Sequence, residues 1–356
     1  MKKIIATAAV LTFLLALAAP LTFAQDSSAK PAAQDAAAQE AATYKTWYDL
    51  NNAKDYPKAL EAAQAYLEKY PNGQYAAYLK KWMPQARATM LGEAVKAKNL
   101  AEIDRLGKEI MAADPDNLDF ALFLASQLRT LDTNFQYVPD TTQFTQTSIR
   151  LIEAGKAPTN SPSFKKSETL GYLHDTLATI DEHNKETDKA LEHYMHAAMN
   201  DPMNARYFFN CGRLHQGRYA VAAADYQKLP EADRTAAEPK PEVKAALDKV
   251  NAEADGVINC WARFMGLPKN DYPADVKQKV MTALTDLYKY RNNGSDAGLS
   301  KLIDDNKTSP TPVKMTPPVE KPQAAADQKP ADVTAPKPGA TQPAAAARPV
   351  TKKPRM

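Results

Sequence analysis

The chain has 356 residues, a formal net charge of +3, 26 prolines, 12 glycines and two cysteines. Its mean hydropathy of −0.51 and its single long apolar run exclude a polytopic membrane protein. Two cysteines exclude a disulfide framework and a four-thiolate metal site, and scarce glycine points to helices rather than a turn-dense β-sandwich or a glycine-loop nucleotide enzyme.

Met1-Lys2-Lys3 opens with positive charge, an apolar run follows from Ile4 to Leu17, Pro20 interrupts it, and Thr22-Phe23-Ala24 precedes Gln25. This is the three-part layout of a secretory signal peptide over residues 1–24, cleaved near Ala24. The apolar run falls short of the ~20 residues a membrane span needs. No cysteine follows the cut to carry a lipid. The expectation is an exported protein, periplasmic or secreted, with no transmembrane span in its mature form. Residues 25–42, rich in Ala, Gln, Asp and Ser, read as a flexible linker.

From Tyr44 the pattern is helical and repeats. Tyr56-x2-Ala59-x3-Ala63-x2-Tyr66 is closed by Pro71, and Leu100-x2-Ile103-x3-Gly107-x2-Ile110 by Pro115. Phe144-x2-Thr147-x3-Leu151-x2-Ala154 is closed by Pro158, and Thr187-x2-Ala190-x3-Tyr194-x2-Ala197 by Pro202. A fifth copy is Tyr219-x2-Ala222-x3-Tyr226-x2-Leu229; the first positions lie 44, 44, 43 and 32 residues apart. Spacing i, i+3, i+7, i+10 is one face of an α-helix, small residues allow close approach, and proline ends the helix. Helix pairs of this kind bury their faces only by stacking.

Asp55–Asn72 and Asp188–Pro202 resemble the second helix of a tetratricopeptide repeat, and Phe208-x2-Cys211-Gly212-x2-His215 resembles a first helix. The resemblance covers residues 44–230. It implies an all-α fold, a right-handed superhelical solenoid of antiparallel helix pairs with a concave binding face. The 43–44-residue period is longer than the family's, and the extra residues are expected in the first helices or in the loop at Asp132–Asp140. Tyr70–Ala76 also resembles repeats of bacterial envelope-assembly proteins. Residues 242–306 carry further helices over Val243–Gly266, Ala274–Arg291 and Asp296–Asn306, which suit a C-terminal cap.

Residues 307–356 hold 11 prolines, nine Lys/Arg, three Asp/Glu and no aromatic residue, the composition of a disordered tail. Removing +2 for the leader and +6 for this tail from +3 leaves −5 for residues 25–306. The body is mildly acidic, so nucleic-acid binding by it is not expected.

No Walker loop, G-x-G-x-x-G, H-E-x-x-H or G-x-S-x-G is present. The chain therefore reads as a non-catalytic scaffold or adaptor that binds a protein or peptide partner, without a cofactor or metal. The alternative is cell-wall or polyanion contact through the basic tail, and a more distant one is an exported hydrolase. His193 and His196 are expected to point outward from the repeat frame, and His174, His183 and His215 are dispersed. Cys211 and Cys260 either pair as a disulfide or sit as two separate buried thiols. Trp47, Tyr48, Trp82 and Trp261 read as core. In the resembling family first helices line the groove and grip peptides and their carboxylates. By that resemblance Arg206, Asn210 and Arg213, with Phe209 beside them, are the candidate groove, the arginines offering forked donors. The competing reading is a polar face whose arginines pair with acids such as Asp201 or Asp225.

Overall fold

The computed structural model describes residues 29–159 and 161–316, with side chains from residue 34. Among the described residues it holds thirteen α-helices and no strand, an all-α fold. The leader over 1–24 and the tail from residue 317 lie outside the described residues. No helix among those described is long and apolar enough to cross a membrane.

The chain divides at Arg87 into two compact units. The first contains α1 (Ala29–Asn52), α2 (Tyr56–Lys69) and the start of α3 (Ala76–Lys96). Its core is Trp47, Ala59, Ala63, Tyr66, Ala76 and Leu79. The frame residues Ala59 and Ala63 are fully buried, and Tyr44 stacks on Tyr75 with ring centroids 3.7 Å apart.

Within the segment 25–42 expected as a flexible linker, the described residues belong to α1, which begins at Ala29; residues 25–28 lie outside those described. Alanine is the strongest helix former, and the segment is tied down. Glu40 accepts hydrogen bonds from the Tyr66 hydroxyl and, at 2.6 Å, from the Gln74 amide.

The second unit continues through α4 (Leu100–Ala113), α5 (Leu118–Leu131), α6 (Val138–Glu153), α7 (Lys166–His183), α8 (Thr187–Asn200) and α9 (Ala205–Gln227). It ends with the single turn α10 (Glu231–Arg234), then α11 (Pro241–Gly266), α12 (Ala274–Arg291) and α13 (Leu299–Thr308). From α4 to α9 each helix packs on the next in the chain, α9 packs on α11, and α11 carries both α12 and α13.

Two devices recur at the turns. After α2, α4 and α8 comes one capping residue and then Pro71, Pro115 or Pro202, so the proline forbids continuation. After α1, α3 and α7 comes a lysine in the left-handed region: Lys54, Lys98 and Lys185, with φ of 58°, 54° and 63°. The next amides, of Asp55, Asn99 and Glu186, reach back to Leu50, Ala94 and Asp181 at 3.0, 2.9 and 2.8 Å. This is the paired C-terminal bond pattern usually closed by glycine. Asp55 and Asn99 then cap the following helix.

Four further expectations need correction. The fifth repeat copy is not a separate helix: Phe208 and Tyr226 lie on one continuous α9 of 23 residues. No proline or left-handed residue interrupts it, and it lies along the 26-residue α11. In α6 the buried face is Thr141, Phe144, Thr145, Ser148, Leu151 and Ile152, so Thr147 is off it. Gly155, at φ 87°, closes that helix before Pro158 is reached. The extra residues of the long period sit partly in a lengthened helix, the 21-residue α3, and partly in the connection between α6 and α7; the α5–α6 connection at Asp132 is short, and Asp132 caps it by accepting from the Gln136 and Tyr137 amides at 3.0 and 2.7 Å.

Residues 308–316, part of the segment expected to be a disordered tail, pack against the body. Asn306 exchanges two 3.0 Å bonds with Val313, the Met315 amide donates to Asn259 Oδ1 at 2.7 Å, and Met315 is buried. Among the aromatics, Trp47 and Trp261 are buried and Trp82 is half-buried. Tyr48, expected in the core, is 50% exposed.

Candidate functional site

The groove residues all lie on α9, which starts at the Asn204 cap in the Asp201-Pro202-Met203-Asn204 turn. The Asn204 amide nitrogen of its side chain bonds Asp201 Oδ2 at 3.3 Å, and its Oδ1 accepts from the Arg206 amide at 3.2 Å. This orients the first turn so that Arg206 meets α7.

Arg206 Nε donates to both oxygens of Asp175, at 2.9 and 3.1 Å. Asp175 is only 2% exposed and also takes a bond from Arg129 of α5. Arg129 further donates to Thr176 Oγ1 at 2.7 Å and to the Tyr172 carbonyl at 3.0 Å, and lies over the Tyr172 ring at 4.4 Å. One turn pair further along, Arg213 donates to Glu182 Oε2, while the Tyr194 hydroxyl donates to Glu182 Oε1 at 2.6 Å.

Burial works against charge on Arg206, but the Asp175 carboxylate beside it prevails and holds the guanidinium above the ordinary arginine range. Burial first, and then the neighbouring carboxylates, push the Tyr194 hydroxyl well above its usual value. The Arg206 and Arg213 side chains are 27% and 35% exposed, a partly dry setting. Their described bonds use Arg206 Nε and one terminal nitrogen of Arg213.

The expected stripe of Arg206, Asn210 and Arg213, with Phe209 beside it, is divided among different neighbours. Arg206 and Arg213 face α7, whereas Asn210 is buried, at 5% exposure. Phe209 turns towards Phe264 and Tyr272, with ring centroids at 5.5 and 4.8 Å, and its carbonyl accepts from Trp261 Nε1 at 3.3 Å. Arg206 pairs with Asp175 and Arg213 with Glu182, while Asp225 pairs with Lys228 at 2.8 Å.

Arg129 was not picked out from the sequence, and Asp175 and Glu182, taken alone, read there as a solvated helix face. The usable signal was spacing: Asp175 and Glu182 are seven apart, as are Arg206 and Arg213.

His196 is exposed, as the repeat frame implies, whereas His174 and His193 depart from expectation. His193 is half-buried, its Nδ1 3.2 Å from Nδ1 of buried His174, and His196 stacks on His174 with centroids 5.0 Å apart. Burial, then the two neighbouring imidazoles, lower His174 to about 4. Burial also lowers His193, so it is neutral and makes no ion pair with Asp181, 3.7 Å away. Asp181 Oδ2 is buried without a hydrogen bond, and burial raises this carboxyl to about 6. Cys211 and Cys260 are joined by a disulfide, Cα atoms 6.0 Å apart, linking α9 to α11.

Neither a protein-family model nor a curated protein matches this chain, so the reading of the site rests on its own residues.

Proposed function

We propose that the protein is a non-catalytic scaffold of the bacterial cell envelope that holds a protein or peptide partner through an acidic group docked against α9. The observation that carries this reading is the pair Arg206 and Arg213. Their guanidiniums are pre-positioned by Asp175 and Glu182, and their bonds among the described residues leave terminal nitrogens for a ligand. An incoming carboxylate would meet these two guanidiniums on α9. Forked, charge-assisted bonds to such a group are the strong kind, and a fixed guanidinium loses little entropy on binding. The repeat-like spacing and helix-on-helix packing support a tetratricopeptide-like solenoid, in which first helices such as α9 line the concave side. The leader-like start supports export to the periplasm or beyond.

The test begins with a pull-down from envelope extract, followed by fluorescence titration of the partner's terminal peptides with free and amidated carboxyl ends. Arg213→Gln should weaken the free-acid peptide about tenfold, the worth of one charge-assisted bond. Equal affinity in wild type and variant would sink the groove. Removing residues 317–356, rather than 307–356, isolates the tail without stripping the packed Met315. Loss of partner capture in that truncation would move the binding to the basic tail.

A further inference from the structure

Cys211 and His215 are four residues apart on α9, one turn apart on the same face, and Cys260 meets them from α11. The two sulfurs and a ring nitrogen of His215 all lie within 4.8 Å of one another. The surroundings are built for that imidazole. Its Nδ1 lies 2.7 Å from Oε2 of Glu253, a carboxylate only 5% exposed. The other oxygen of Glu253 is held by Arg218 at 2.8 Å, and Arg218 reaches Asp188 at 2.9 Å. Opposite the ring stands Gly256 of α11, where a Cβ would come within 2.5 Å of His215 Nδ1. Glycine inside a helix costs about 1 kcal/mol relative to alanine, and here it clears the space the imidazole fills.

We propose that reduction of the Cys211–Cys260 disulfide converts this group into a three-ligand site for a zinc-class divalent ion, held by both sulfurs and His215 Nε2. Thiolate and imidazole are the donors such an ion prefers, and three protein ligands leave a fourth position for water. A ligating histidine characteristically gives its other nitrogen to a carboxylate, the place Glu253 occupies. Two thiolates neutralise the ion's double charge, so the half-buried site carries no net charge. The Cα separation of 6.0 Å sets the two sulfurs close enough to share an ion once the bond between them is gone.

The chemistry balances with a named reductant. A phosphine or dithiol supplies two electrons, the S–S bond breaks, and two protons complete the thiols. Binding of the ion then expels both thiol protons to solvent. An oxidant reverses the sequence: the disulfide re-forms and the ion leaves. The site is thus gated by redox state, and it is independent of the peptide-binding reading.

Cobalt titration of the full-length chain tests this, with and without prior reduction by a phosphine. The reduced chain should take up one Co2+, with a thiolate-to-cobalt charge-transfer band and the intense visible bands of a four-coordinate ion, displaced by Zn2+. The oxidised chain should give neither band. Glu253→Gln should retain the bands with about 10–100-fold weaker affinity. His215→Asn, its helical circular dichroism unchanged, should lose the four-coordinate spectrum. A reduced wild type without a charge-transfer band would overturn the proposal, as would an undiminished spectrum in His215→Asn.

Discussion

Asp175 of α7 and Arg206 of α9 form a buried ion pair, and seven residues further along each helix Glu182 and Arg213 form a second. The two helices are thereby registered by charge as well as by packing. Asp175 also neutralises Arg129, so one carboxylate holds two guanidiniums. Asp175→Asn should cost about 3–5 kcal/mol, the typical cost of stranding a buried charge. Glu182→Gln should cost about 1 kcal/mol or less, because Arg213 is a third exposed and screened by solvent. Urea denaturation of both variants checks the ordering; equal midpoints would refute it.

Acid should act through the α7–α8 histidines. His174 titrates near 4 when folded and 6.5 when free, so between these values the unfolded chain binds the extra proton. Stability is therefore lost as pH falls from 6.5 towards 4, by at most about 3 kcal/mol. His193, His196, Glu192 and Asp181 face the same cluster. His174→Asn should flatten the urea midpoint between pH 6.5 and 5.

Asp181 has the opposite sign. Raised from 3.8 to about 6, it binds its proton more tightly in the folded chain, so stability falls as pH rises through that window. Asp181→Asn should raise the urea midpoint at pH 7.5, by a gain of up to about 3 kcal/mol, with less change at pH 4. An unchanged midpoint at pH 7.5 would show that the carboxylate finds a partner in solution.

Gly212 lets α9 and α11 touch: a Cβ there would run into the Trp261 indole ring. Gly212→Ala should lose about 1–3 kcal/mol despite alanine's better helix propensity, since overpacking outweighs it. Gly217, which faces open space on the same helix, is the control, and its alanine variant should be stabilised. Thermal melts of the two should move in opposite directions.

Reducing Cys211–Cys260 in chelator should lower stability by up to about 4 kcal/mol, the loop-closure value for 49 residues of separation. Melts with and without reductant, compared with Cys211→Ser, check it. A reduced wild type that melts like the oxidised form would show that packing of α9 on α11 suffices.

Local rules were legible wherever they act within one helix. Ala59, Ala63 and Tyr66 form the buried face of α2 because i, i+4, i+7 spacing places those residues on one side. Pro71, Pro115 and Pro202 stop helices because proline lacks a donor. The α12 bounds, Ala274–Arg291, follow from the same periodicity. The turn lysines were legible only in hindsight, as Ala-Lys-Asp, Ala-Lys-Asn and Asn-Lys-Glu, because lysine carries no intrinsic left-handed preference.

The site was less legible because its residues meet only across helices. From α9 alone, Arg206, Asn210 and Arg213 form a stripe; α7 and α11 divide it by burying Asn210 and claiming the arginines. The merging of two repeat-like segments into one α9 was decided by the partner α11, long enough to cover both. The amino-acid order by itself determined that the chain is helical, where most helices stop and which faces are apolar. The tertiary structure decided which charges are neutralised, which histidines meet and which cysteines join. Those depend on groups far apart in sequence brought within a few ångströms, where burial makes each pairing matter.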